Sequence, residues 1–283
     1  MAPASDCLRL DRLSSPELQE LYIKSRLDGG KLIACLPVGS VEQHGPLLPL
    51  GTDTRIAEEL ASGLLTSPAF RQNNWHGLLL PSYAYTNADT GLEFQGTLSV
   101  EHNALRGAFA SILASILRLD IDALLLVNGH GPNDSWLGEL AFRANQEQFR
   151  SQHQIKPVIM ASVPQVMIKA YEGFPYPKGR HADWMEVALA YALLGPELLA
   201  DREEAFAQQA AVDAPASFPI VGIPLKLRSP SGILGLGWPK DRDIAELSGQ
   251  VRDAVVPALQ QVVTAAIQQA LGYRDGQRDD LPA

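Results

Sequence analysis

The sequence predicts a layered α/β protein built on a largely parallel sheet. Three observations lead there. Short apolar runs at 31–38, 77–85, 123–127 and 156–163 alternate with stretches of helical periodicity, the pattern of repeated strand-helix units. The first run, KLIACLPV, is apolar almost throughout, as expected of a strand covered on both faces. No internal repeat, low-complexity block or linker divides the 283 residues, so one domain over 1–283 is expected, with its core at about 30–270.

Taken in order, residues 13–27 read as a helix, because Ser14, Ser15 and Pro16 form a start signal and the glycine pair at 29 and 30 ends it. The first strand follows at 31–38. A helix at 54–65 presents Ile56, Leu60 and Leu64 on one face. GLLLPSYAY at 77–85 is a second strand, followed by the polar loop TNADTGLEFQGT. Ser99, Glu101 and His102 open an amphipathic helix that runs to Leu117.

The third strand, 123–127, runs straight into NGHGPND. Asp134 or Ser135 can cap the next helix, which reaches about Phe149. A fourth strand is expected at 156–163, then a loop at 171–180 rich in Gly, Pro and aromatics. Residues 183–194 read as helix, stopped by Gly195 and Pro196. The Pro and Gly content of 220–238 suggests short strands and turns, and a long helix is expected from about 242 to 271 before a frayed charged tail.

The formal charge of −9 and pI near 5.1 argue against a nucleic-acid or anionic-membrane surface, since both require a basic patch. Cys7 and Cys35 have neither disulfide-framework density nor CxxC spacing, and Cys35 sits in an apolar run as a small hydrophobe. Asp and Arg occupy the positions where a signal peptide would need an apolar core, and no apolar run approaches the roughly 20 residues of a spanning helix. A cytoplasmic protein without a membrane partner is the expectation.

The chemistry concentrates in LPVGSVEQHGPLLPLGTDT, 36–54, which places Glu42, His44 and Asp53 between the first strand and the next helix. Glu42 and His44, at i and i+2, point the same way in an extended segment. Gly45, Pro46, Pro49 and Gly51 bend the chain so that Asp53 can return. Ligands bind at the carboxyl ends of strands in open α/β sheets, where this loop would lie.

Of six histidines, His44, His130 and His181 lie in loops or helix starts with polar or acidic company, whereas His76, His102 and His153 read as surface or capping residues. His130 leaves a strand between two glycines, which allow its backbone to crowd another loop. An incidental Gly-rich turn reads equally well. In HADWME, Glu186 would lie about 140° around a helix from His181, so both reach one site only if His181 precedes the helix. An ordinary helix start with an exposed acid is the alternative, and Asp183 suits the positive end of a helix dipole.

Glu42, His44, Asp53, His130 and Glu186 together supply three carboxylates and two imidazoles, a donor set suited to Zn, Mn or Fe. Two divalent ions would be neutralised by three carboxylates and a bridging hydroxide, itself a nucleophile at neutral pH. No GxSxG, HExxH, CxxC or Walker loop offers another chemistry, and GILGLG at 232–237 lacks dinucleotide-site spacing.

PVGSVEQHGPLLPLGTD, NGHGPN and HADWME resemble, in order and approximate spacing, the signature segments of the creatininase (creatinine amidohydrolase) family, and FQGTLSV resembles its FPGT-type segment. The resemblance covers about residues 30–240. It implies a three-layer α/β/α sandwich, often a homo-oligomer and in particular a hexamer, with a dinuclear site that hydrolyses amide-type C–N bonds of small molecules or short peptides. It further implies Glu42, His44, Asp53, His130 and Glu186 as ligands, Asp53 bridging two divalent ions, and His181 with Glu186 as catalytic groups, His181 stabilising the tetrahedral intermediate or protonating the leaving nitrogen.

The departures concern both metal and substrate: without a Glu at 132, Glu186 must complete the site or one metal is weakly held, and the substrate contacts change. Pro132 stands where creatininase itself has a metal-binding Glu, Asp183 and Trp184 replace the usual small residue and Glu, and TNADTGLE replaces the usual EH pair. Creatinine is therefore not the expected substrate, while a cyclic amide, lactam, formamide or short peptide stays open. A catalytically silent binding subunit is the competing expectation. Tyr85, Thr86, Asn87, Glu93 and Trp184 are the candidate substrate contacts. Glu93 would suit a cationic amine, or is a solvated loop acid.

Overall fold

The computed structural model describes residues 7–151, 155–214 and 225–279. Its elements run α1 (Ser15–Leu27), β1 (Lys31–Val38), α2 (Thr52–Leu65), α3 (Pro68–Gln72), β2 (Trp75–Leu79), α4 (His102–Ile116), β3 (Ala123–Asn128), α5 (Asn133–Arg150), β4 (Val158–Ser162), α6 (Val163–Ala170), α7 (Trp184–Leu194), α8 (Glu203–Ala210), β5 (Asp213–Ala214), α9 (Leu225–Arg228), β6 (Gly235–Leu236) and α10 (Ile244–Asp279). The main sheet has the order β2-β1-β3-β4, all parallel, and β5 pairs antiparallel with β6.

Period-two alternation divides each central strand between two cores. Ile33 and Cys35 of β1 and Leu125 and Val127 of β3 pack with α2, α7 and α10. Leu32, Ala34 and Leu36, with Leu124 and Leu126, pack with α4 and α5 on the opposite face. Helices thus cover both sides of the sheet, which explains why these strands read as unbroken apolar runs. Cys35 is fully buried, and burial raises its thiol well above the ordinary range.

Several boundaries differ from the expectation, each for a local reason. The second strand starts two residues early and stops at Leu79, because Pro81 brings no N–H to the ladder. Tyr83 then touches β1 as an isolated bridge to Val38. α4 is capped by Glu101, whose side chain accepts from Ala104 N at 2.8 Å; Ser99 instead accepts from Ala88 N at 2.9 Å. Asp134 does not cap α5 but lies in its first turn, accepting from Asn128 Nδ2 at 2.8 Å. α6 was not anticipated, although Ser162 caps it and Pro164 opens it. Of the stretch 220–238, residues 220–224 lie outside the described residues; α9 and β6 occupy part of the rest.

The expected frayed tail is also corrected. α10 continues to Asp279, and Arg274 is only 2% exposed, its Nη1 donating to Asp122 Oδ1 at 3.0 Å and to the Asp122 carbonyl at 3.1 Å. Residues 280–283 of that tail lie outside the described residues. By length and composition α10 is apolar enough to cross a membrane, contrary to the expectation from apolar runs. Its buried positions Leu247, Val251, Val255, Leu259, Val263, Ile267 and Leu271 recur every four residues, one stripe packed in the same core as α7.

Candidate metal centre

β1 and β3 end side by side, Val38 opposite Asn128, and the loops leaving them carry the chemistry. After β1 the backbone folds back on itself, Glu42 N donating to the Leu50 carbonyl at 3.0 Å. α2 begins at Thr52, two residues before its expected start, so Asp53 sits in the helix's first turn rather than in the loop. A carboxylate there is favoured by the helix dipole. After β3, the Asn128 side chain accepts from His130 N at 3.1 Å and donates to the His130 carbonyl at 2.8 Å, shaping the turn that presents the imidazole. Gly129 is required by contact: a Cβ there would stand 2.3 Å from the Asp53 carbonyl oxygen. Gly131 meets nothing within 4 Å, so only one of the two flanking glycines is explained by crowding.

The third contribution comes from the start of α7. Asp183 caps that helix by accepting from Glu186 N at 3.2 Å, and its other oxygen receives the buried Tyr171 hydroxyl. Ala182 has a left-handed backbone, φ 51°, which turns His181 out of the helix and into a bridge with Leu234. His181 therefore precedes α7, the condition under which it and Glu186 reach one site. The Ala182 N–H donates to Glu186 Oε2 at 2.6 Å, leaving Oε1 to face His44 Nε2 at 3.6 Å.

Glu42, His44, Asp53 and His130 are each at most 3% exposed. His44 Nδ1 donates to the Glu42 carbonyl at 3.1 Å, which aims Nε2 at Asp53 Oδ1, 3.0 Å away. His130 Nε2 donates to the Asn87 carbonyl at 3.1 Å, which aims Nδ1 at Glu42 Oε1 and Asp53 Oδ2, 3.0 and 2.8 Å away. Holding a histidine by one nitrogen to orient the other is the usual support of a metal ligand. The Asp53 Oδ2 approach to His130 lacks hydrogen-bond alignment, so this oxygen is buried without a partner. Among the described residues three ligand groups result: His44, Asp53, Glu186; Glu42, Asp53, His130; and Glu42, His44, His181. The first two share Asp53, one oxygen toward each. An unpartnered buried carboxylate oxygen amid imidazole and carboxylate donors fits divalent Zn, Mn or Fe.

Electrostatics agree with that fit. Burial opposes charge on His44, but the fields of Asp53 and Glu186 outweigh it and raise its pKa well above the ordinary value. His130, likewise resisted by burial but faced by Glu42 and Asp53, is pushed up to about 10. Burial alone would raise Asp53 and Glu186; His44 and His130 hold Asp53 well below the carboxylate range, and His44 holds Glu186 below it. Burial instead raises Asp183 to about 7. Without a cation the cluster thus keeps protons on imidazoles whose lone pairs a metal would take.

The candidate substrate contacts are dispersed. Asn87 reaches the cluster through its carbonyl, while Thr86 is buried with its hydroxyl donating to the Gly39 carbonyl at 2.7 Å. Tyr85 is 61% exposed and Glu93 is exposed. Trp184 corrects the expectation: it lies in the core at 0% exposure among Tyr171, Phe174 and Tyr176, its Nε1 donating to the Pro177 carbonyl at 3.0 Å. Of the remaining histidines, His76 is half-buried near Asp28, His102 is exposed, and His153 lies outside the described residues. Sequence reasoning missed Gln43, which is 5% exposed and contacts His181, because strand-like alternation between Glu42 and His44 points it the other way.

Comparison with known proteins follows the same lines. The family model named Creatininase, described as creatinine amidohydrolase, matches residues 12–263. The mycofactocin precursor peptide peptidase of Mycobacterium ulcerans (strain Agy99) is 41% identical over 108 residues, a match spanning 35% of this chain and 40% of the peptidase. The creatinine amidohydrolase of Pseudomonas putida is 28% identical over 198 residues, 65% of this chain and 72% of that protein. A solved mutant creatininase of Zn-Zn type superposes with a TM-score of 0.67 at 22% identity, over 94% of this chain and 99% of the other. That likeness shows the shared α/β architecture. The chain belongs to the creatininase family.

Proposed function

We propose that this chain is a dinuclear metal-dependent amidohydrolase that cleaves a C–N amide bond of a small cyclic amide, lactam or formamide. The observation that carries the reading is Asp53, whose two oxygens face His44 and His130 at 3.0 and 2.8 Å and so belong to two ligand groups at once. In this reading His44 and Glu186 complete one group, and Glu42 and His130 the other. Two divalent ions held there would supply an activated water and polarise the amide carbonyl.

The chain's own residues do the rest. Burial of the carboxylates excludes bulk water and strengthens each interaction with the cluster. His181 is the most open of the histidines at the site, its side chain 15% exposed, with Nδ1 3.6 Å from Glu42 Oε1. In this reading it hands a proton to the leaving nitrogen. Asn87 and Glu42 orient His130 and His44 through backbone carbonyls.

A peptide C–N bond is the second reading, favoured by the 41% identity to a precursor peptide peptidase over the shared 108 residues. A panel of formamides, lactams and short peptides, assayed with Zn or Mn and again after chelation, tests both. Chelator-sensitive release of amine from a formamide or lactam supports the first reading, and cleavage confined to peptides supports the second. Hydrolysis that survives full metal removal contradicts the metal-dependent mechanism.

A further inference from the structure

Gln43 stands between two proposed ligands, yet its side chain turns away from both. Its amide is oriented by the backbone on either side: Oε1 accepts from Gly45 N at 3.0 Å, and Nε2 donates to the Gly232 carbonyl at 2.9 Å. The opposite amide orientation would set oxygen against oxygen at Gly232 and N–H against N–H at Gly45. Gly232 makes room for this arrangement. A Cβ there would stand 1.9 Å from Gln43 Oε1, and its φ of +80° is itself a glycine conformation. Gln43 N is held as well, donating to Thr97 Oγ1 at 3.0 Å.

Two atoms of this anchored residue converge on a single ring nitrogen. The Gln43 carbonyl oxygen and the Gln43 Nε2 each lie 2.8 Å from His181 Nε2. One is an acceptor and the other a donor, so whichever tautomer the imidazole adopts, Nε2 finds a partner on Gln43. From the backbone side, Leu234 N donates to the His181 carbonyl at 2.9 Å, and the Arg180 N donates to the Leu234 carbonyl at 2.8 Å. The same 232–234 segment therefore holds the His181 backbone and the Gln43 amide.

We propose that Gln43 is the positioning residue for His181, clamping ring nitrogen Nε2 between its own carbonyl and side-chain amide so that only Nδ1 faces the metal-type cluster. Gly232 is the anchor of that clamp. The inference deepens the amidohydrolase reading, on which its consequence for turnover rests, but the clamp itself is a statement about ring orientation. Outer partners of this kind are commonly worth about 10- to 100-fold in activity or metal affinity.

The test is imidazole 15N NMR on Zn-loaded, [15N]histidine-labelled protein, with His181→Asn identifying the His181 resonances. Wild type should show one sharp His181 ring state. Gln43→Ala, which removes the amide, and Gly232→Ala, which pushes it aside, should each split or broaden the His181 signals while leaving Zn content and the His44 and His130 signals in place. Unchanged His181 signals in the variants overturn the proposal, as does loss of Zn together with the His44 signals, which would make Gln43 a support of the ligand loop instead. A protein that shows the predicted spectra but hydrolyses no amide would remove the amidohydrolase reading and leave the clamp standing.

Discussion

Gly129 and Asp53 meet backbone to backbone: a Cβ on the glycine would lie 2.3 Å from the aspartate carbonyl oxygen and 3.2 Å from Ala57 Cβ. The turn that carries His130 is thereby seated against the first turn of α2, which carries Asp53. Because both neighbours belong to a packed helix, neither can give way as a flexible side chain would. Gly129→Ala should destabilise the protein by about 1–3 kcal/mol, the usual cost of overpacking, and lower metal loading by parting His130 from Asp53. Urea denaturation with elemental analysis of the same sample checks both; a variant with wild-type loading would show that the contact does not set the site's geometry.

Asp53→Ala should abolish binding of both ions, because its two oxygens serve two ligand groups. His181→Ala should retain the ions and lose turnover. Isothermal titration of each variant with Zn separates the cases. Retention of both sites in the Asp53 variant would refute the bridging role.

The closing helix is held by a charge rather than by its apolar stripe alone. Asp122, 3% exposed, receives Arg274 on one oxygen and both Leu32 N, at 2.8 Å, and Arg26 on the other. Arg274→Ala leaves that carboxylate with Arg26 and Leu32 N on one oxygen and empties the other, and should cost about 3 kcal/mol, the lower end for breaking a buried pair. Metal content should be unchanged, since the pair lies at the opposite ends of β1 and β3 from the centre. A loss below about 0.5 kcal/mol, the range of ordinary surface substitutions, would mean the pair contributes little.

A dependence on pH follows from the imidazoles. Folded His130 titrates at about 10, against about 6.5 for an exposed histidine. Between those values the folded metal-free protein binds a proton that the unfolded chain does not, so its stability falls as pH rises and is fully present only below about 6.5. His44 acts in the same direction. A metal held by these residues would displace those protons and bind more tightly as pH rises. Chelated protein should lose Tm from pH 6.5 to 10 while Zn-loaded protein does not; parallel Tm curves would argue against shared ligands.

Much of this was legible in the sequence. The unbroken apolar character of 31–38 marks a strand covered on both faces, and Lys31–Val38 is the strand observed. Glu42, His44, Asp53, His130 and Glu186 lie together because each leaves a strand or opens a helix at one end of the sheet. Less legible were features set by tertiary contact. Strand alternation could not foresee that Gln43 folds back toward His181, and composition could not distinguish Arg274 from a tail residue until Asp122 was placed beneath it. Trp184 resembled a site residue by position alone, whereas its ring completes an aromatic cluster in the core.

The central claim is two ions per chain sharing Asp53. The most direct measurement is elemental analysis of protein purified without added metal or chelator, referred to chain concentration. About two transition-metal ions per chain, falling to none in Asp53→Ala, is the predicted result. No bound metal, together with no rise in Tm on adding Zn or Mn, would contradict the account and leave a metal-free binding protein in its place.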